Sequence, residues 1–348
     1  MRAFIIGIAV LAFSGCATKS AQPDWVIGES DQYRHADFLL GRGQASAQEE
    51  AKDRARADIA KVFQVAVTVA SEDVQRFKTH AANDQMANDV AKEKDSLGQY
   101  ENQYSRRITT RTEQVVRGIQ IAELWQDPAT HNYHVLAILP RLQAANSLRQ
   151  EIGELDEITR RHIGHAQNHT DLFLKIASAS LALASQQARE TVQKSLQVVD
   201  RTGQGVATTL SSAQLQANLS ELVQRVKLAP SIAADAPQGL AEIVAGALAH
   251  AGYLLENQKQ AEFIVQVQLN LTDLGLQEGW YWQRGNLEIT LTEAASGRVR
   301  GTQRWLIKSS APDKSGAAKR AMNQVDTVLK QEMGAAIITM ATGHSNPQ

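Results

Sequence analysis

His162, His165 and His169 come nearest to a chemical site in both residue type and spacing. At i, i+3 and i+7 they share one face of a helix. Imidazoles in such an array can bind zinc or copper. Three ligands with an open fourth position could even be catalytic. The competing reading is a solvated face beside a turn, since neither a cysteine nor an orienting carboxylate pattern flanks the three. His131 and His134 stand apart, at a turn and on a strand. The carboxylates Asp24, Glu72, Asp73, Glu154, Asp156 and Glu157 do not by themselves make a glycosidase pair. There is no Gly-x-Ser-x-Gly and no His-Glu-x-x-His. Gly41-Arg42-Gly43 has too few glycines for a phosphate loop and reads as a tight turn that lets a helix approach a sheet. These motifs point away from an enzyme and call for no cofactor.

Cys16 is the only cysteine of the chain. Before it stand Met1-Arg2, an apolar run from Ala3 to Phe13, and Ser14-Gly15. A positive start, a short apolar core and small residues make a secretory leader. The run is too short for a spanning helix, which needs ~20 residues. The segment resembles a bacterial lipoprotein signal, with Phe13 where leucine is usual. The alternative is an ordinary leader with a chance cysteine. That resemblance implies cleavage between Gly15 and Cys16, and acylation of Cys16 by chains such as palmitate. Ala17, standing where aspartate would retain a lipoprotein in the inner membrane, implies the outer membrane. Each buried methylene contributes ~0.8 kcal/mol, so several chains on one residue anchor firmly.

The remaining composition narrows the partners. The 348 residues carry a net charge of −1, and loss of Arg2 with the leader makes it −2. A near-neutral chain lacks the basic footprint of a nucleic-acid binder and offers no polybasic membrane patch. A hydrophobic fraction of 43% is ordinary for globular protein, and the length fits about two domains.

Trp280, Tyr281 and Trp282 are the one concentration of aromatics. On a strand the two tryptophans share a face and the tyrosine takes the other. Facing solvent, they would suit a partner or sugar platform. The favoured reading places them in the core, because a helix-covered sheet needs large residues on one face.

The elements follow from periodicity. Phe38 to Ala45 reads as a short strand leaving through the glycine turn. Ser46 and Glu49 are spaced as a capping box. The following helix lines up Ala47, Ala51, Ala55, Ile59, Val62, Ala66 and Val69. Ser71 to Glu101 is polar. Arg107–Trp125 and Tyr133–Leu139 read as a hairpin about the Asp127–Asn132 turn. The order Pro-x-Trp-Val, then Gly-Arg-Gly-Gln-Ala, then an alanine-rich helix and a strand pair resembles the Lpp-twenty lipoprotein family over roughly residues 23–142. That family comprises bacterial surface lipoproteins, with relatives attached to the outer-membrane parts of the flagellum. The resemblance implies a structural or binding protein.

Residues 142–199 are helix-rich. Stripes run through Leu148, Ile152, Leu155, Ile158 and Ile163, and through Leu172, Ile176, Leu181, Leu183 and Val192. The Gly164–Thr170 stretch is either a turn between antiparallel helices or part of one rod. Self-association of this region would make a homo-oligomer. After the turn at Asp200–Gly205, a helix, then alternating strands at 262–271, 279–291 and 299–307, then a closing helix at 317–340 suggest helices over an antiparallel meander. The order helix, Gly-Tyr, then Ala-Glu-Phe-Ile-Val resembles, in topology, periplasmic lipoprotein domains of the penicillin-binding-protein activator kind.

The expected fold class is α+β, with two α+β modules joined by a helical segment. The expected domains are a leader at 1–15, a tether at 16–22, an α+β domain at 23–141, a helical region at 142–202 and a second α+β domain at 203–348. The expected function is a non-enzymatic outer-membrane lipoprotein acting as an anchored adaptor, either a flagellar outer-membrane part or a cell-wall-synthesis partner. The alternative is a periplasmic metal-dependent factor built on the three histidines.

Overall fold

The computed structural model describes residues 21–28, 30–61 and 118–342. They form two compact units, 21–61 with 118–141, and 142–342. Cys16, the polar Ser71–Glu101 stretch, Arg107–Arg117 and the later part of the alanine-rich helix lie outside the described residues.

The first unit is a three-stranded antiparallel sheet in the order β1 (Phe38–Ala45), β3 (Tyr133–Pro140), β2 (Gln120–Gln126). β3 is central, and Val135, Leu136, Ala137 and Leu139 are almost wholly buried, as befits a strand covered on both faces. One cover is the helix α1, described over residues 48–61, which turns Ala51, Ala55 and Ile59 inward at 0% exposure. The other is the segment before β1. Its Trp25 packs on Leu136 and Ile138, with Phe38, Leu40 and Trp125 around it.

Gly41 and Gly43 lie inside β1, not in a turn. Their task is close approach. A Cβ on Gly43 would stand 2.0 Å from the Ala51 carbonyl oxygen, and one on Gly41 2.4 Å from that of Ala55. Arg42 between them points to the opposite face, where its Nε donates to the Trp25 carbonyl at 2.8 Å and its guanidinium also reaches the Gly28 carbonyl. Trp25 Nε1 in turn donates to Glu123 on β2 at 2.7 Å. The capping box does not form. The helix begins past Ala47, which is exposed, and the Glu49 carboxylate pairs with Lys52 at 2.7 Å. That ion pair holds Glu49 below the usual carboxylate range.

The second unit opens with helices α2 (Arg141–Asn168) and α3 (Leu172–Val199), separated by three residues. They run antiparallel, since Thr159 Oγ1 meets Ser185 Oγ at 2.8 Å and Arg149 meets Asp200 at 3.2 Å. Leu148, Ile152 and Leu155 are buried as expected, whereas beyond them the seam turns polar through Thr159, Ser185 and Arg189. Arg189 is 1% exposed; its Nε donates to Asp156 at 3.2 Å and its Nη2 to the Val206 carbonyl at 2.8 Å. Gln186 and Gln193 reach the Leu210 and Gln204 carbonyls, so one face of α3 fastens the extended chain that follows it.

That chain leads to α4 (Ser212–Gln224), β4 (Lys227–Ile232), α5 (Leu240–His250), the short β5 (Leu254–Leu255), the long β6 (Phe263–Gln277), β7 (Trp280–Glu293) and β8 (Val299–Ala311), and α6 (Lys314–Thr342). The sheet order is β5-β4-β6-β7-β8. β6, β7 and β8 form the expected antiparallel meander, but β4 runs parallel to both β5 and β6, with α5 in the crossover. The sheet is therefore mixed, because a strand–helix–strand connection returns parallel. Its inner face joins Val265, Leu287, Ile289 and Ile307 to Val244, Val325, Leu329 and Met333 of the helices. Phe173 and Ile176 of α3 belong to the same core, with the Phe173 and Phe263 rings edge to face at 5.0 Å. The architecture is α+β. No helix among the described residues is long and apolar enough to cross a membrane.

Candidate functional site

The β6–β7 hairpin extends past the helix-covered core, and its distal end is shaped by backbone devices. The register shifts between Asp273 and Gly275, where Gly275 has φ +71°. Such a bulge bends and re-aims a strand. Asp273 braces it, accepting from the Gly275 N–H at 2.9 Å and pairing with Lys314 at 2.7 Å. Those two contacts, Lys314 foremost, hold the Asp273 carboxyl below its ordinary range. The hairpin closes through Glu278 and Gly279, both at positive φ, which is the handedness that matches strand twist.

This end presents large apolar side chains to solvent: Leu274 at 43%, Leu276 at 59% and Trp280 at 42% exposure. Leu287, Ile289 and Leu291 fix the inward parity of β7, so Trp280 and Trp282 fall on the outward face. Neither belongs to the core, contrary to the favoured sequence reading. The helices cover only the other face. Trp282 is half-buried, pairs with Gly275 of β6 and carries Lys308 Nζ 5.0 Å from its ring centroid. That is a cation–π arrangement. Tyr281 takes the inward side, half-buried.

His162 and His165 lie along one face of α2, and His169 follows directly on its last residue, Asn168. Consecutive ring centroids are 6.3 Å apart for His162 and His165, and 6.0 Å for His165 and His169. Burial, then the neighbouring His165 and Arg161, lower the His162 pKa. Among the described residues no three His, Cys, Asp or Glu side chains converge as a metal site. The helix explains this, for seven residues at ~1.5 Å rise put about 10 Å between the first and last imidazole. The sequence had grouped them by face and neglected that rise. It also missed Arg189, the largest fully buried side chain among the described residues, for which no sequence signal stands out.

Residues 23–139, about a third of the chain, match the family model described as LPP20 lipoprotein. No curated protein matches significantly. Among solved structures, a secreted protein from Helicobacter pylori is 12% identical with a TM-score of 0.37, covering 88% of this chain and 99% of that one. A minor lipoprotein from Acinetobacter baumannii is 16% identical with a TM-score of 0.25, covering 35% of this chain and 96% of that one.

Proposed function

We propose that this lipoprotein works without catalysis, as an adaptor held on the outer membrane through acylated Cys16. The exposed end of the β6–β7 hairpin meets a protein partner of the cell envelope. Flagellar outer-membrane parts and the cell-wall-synthesis machinery are the partners that the sequence resemblances favour. The observation that carries this reading is the exposure of Leu274, Leu276 and Trp280 within one short, braced hairpin end. Apolar side chains exposed together at one hairpin end, Leu276 on the Tyr281 side and Trp280 on the other, are what an interaction site offers, and tryptophan is enriched among residues that dominate binding energy. Anchoring confines the protein to a surface and raises its effective concentration near partners.

The test is site-specific photo-crosslinking in cells, with the crosslinker at position 276 and, as a control, at exposed Gln214 of α4. Flagellar or wall-synthesis proteins captured from 276 and not from 214 support the adaptor. Equal capture from both positions removes the hairpin from the account. Cys16→Ser is expected to leave the membrane fraction; retention there would defeat the anchoring.

A further inference from the structure

We propose that His165 and His169 form a two-point chelate for a late first-row transition-metal ion, copper(II) above all, at the C-terminal end of α2. Two histidines four residues apart on one helix are the spacing at which both imidazoles reach a single ion. A bound ion lies about 2.0 Å from each ligating nitrogen, hence about 3.2 Å from each ring centroid. Two rings sharing an ion therefore have centroids no more than about 6.4 Å apart. The 6.0 Å separation of His165 and His169 lies within that ceiling, with the ring planes at 77°. α2 ends at Asn168, and the His169 N–H closes its last turn by donating to the His165 carbonyl at 3.0 Å. That hydrogen bond holds the backbone of His169 one turn beyond that of His165.

His162 stands 6.3 Å from His165 but two turns from His169, and Arg161 beside it disfavours a further positive charge. The pair is therefore 165/169, with water completing the coordination. Among divalent ions copper(II) binds nitrogen ligands most tightly. Nothing in this site supplies a substrate pocket or a base, so the inference is of metal binding and stands apart from the adaptor reading.

The experiment uses the full lipidated protein in detergent micelles, titrated with copper(II) by calorimetry and followed by electron paramagnetic resonance. About one equivalent is expected to bind with a nitrogen-ligand signature, and His165→Ala or His169→Ala should each weaken it at least about tenfold. His250→Ala, an exposed histidine at the end of α5, should change nothing. Circular dichroism checks that α2 survives in each variant. Binding unchanged in both the His165 and His169 variants overturns the proposal. So does no binding at micromolar copper, or a greater loss from His162→Ala than from either of them.

Discussion

In the first unit, helix and sheet meet backbone to backbone. Ala51, Ala55 and Ile59 sit over Gly41 and Gly43 with no room for a single added carbon. In the second unit, α6 covers the sheet with Val325, Leu329, Met333 and Ile337, and large side chains fill the gap. Gly301 beneath Met340 repeats the close approach once, near the end of α6. A core filled by side chains can be satisfied by many combinations of similar volume. A contact made by leaving side chains out admits few alternatives. The second unit departs from side-chain filling along the α2–α3 seam, where Thr159, Ser185 and Arg189 replace apolar packing. The two units thus place their least replaceable residues differently: on missing atoms in one, on a buried charge in the other.

The largest effect should come from that charge. Arg189 has a side chain only 2% exposed, and its partner Asp156 is 24% exposed. Arg189→Met strands Asp156 and frees the Val206 and Ala207 carbonyls. Removing one partner of a buried pair costs about 3–5 kcal/mol. Urea denaturation measures the loss, and hydrogen exchange over residues 200–212 should show the fastened segment opening first. A cost below about 1 kcal/mol would mean the charge is already well solvated, and the contrast between the units would shrink.

Next in size is Gly43→Ala. The new Cβ would meet the Ala51 oxygen and the Ala55 nitrogen, at 2.0 and 2.5 Å, both backbone atoms that cannot swing aside. Overpacking of this kind costs about 1–3 kcal/mol. Gly153→Ala is the matched opposite, with nothing within 4 Å and a helical backbone. It should stabilise by roughly 0.5–1 kcal/mol. Equal and small effects from the two substitutions would show that α1 can move off β1, and the close contact would lose its meaning.

This contrast also explains what the sequence disclosed. The alanine–glycine row of the first unit is a pattern in the letters, so the helix and its close packing were legible at Ala51, Ala55, Gly41 and Gly43. The glycines were nevertheless read as a turn, because glycine punctuates chains far more often than it thins a strand. In the second unit the strands β6, β7 and β8 showed through alternation. The parallel β4 did not, since six residues with a central proline carry no direction. The outward face of Trp280 and Trp282 was available by counting back in twos from Leu287. A general expectation about helix-covered sheets overrode that count. Arg189 was illegible, because its burial depends on Asp156 and on carbonyls that only the folded chain brings near.

The smallest effect concerns Glu293, where β7 ends and three elements meet. Its carboxylate accepts from Ser296 Oγ at 2.7 Å and pairs with Arg298 at 2.6 Å and Arg300 at 3.0 Å. Arg300 also reaches Asp171, the N-cap of α3, at 3.2 Å, and its Nε donates to the Ala341 carbonyl near the end of α6 at 3.1 Å. The hydrogen bonds from Ser296, Arg298 and Arg300 lower the Glu293 pKa from 4.5 to about 2. Because the folded state holds the carboxyl below its unfolded value, the stabilisation is present in full above about pH 4.5 and is lost as pH falls through about 2. Glu293→Gln should therefore lower stability at neutral pH, with the difference from wild type shrinking as the pH falls toward about 2, so that the acid limb of the variant's unfolding curve is flatter between those values. Hydrogen exchange over β7, β8 and α6 should report the change, while peptides from β1 and α1 follow the wild-type curve. If the acid limb of the variant superimposes on that of the wild type, the cluster around Arg300 is too well solvated to bind α3, β7 and α6 together. The second unit would then rest on its apolar core and the Arg189 seam alone.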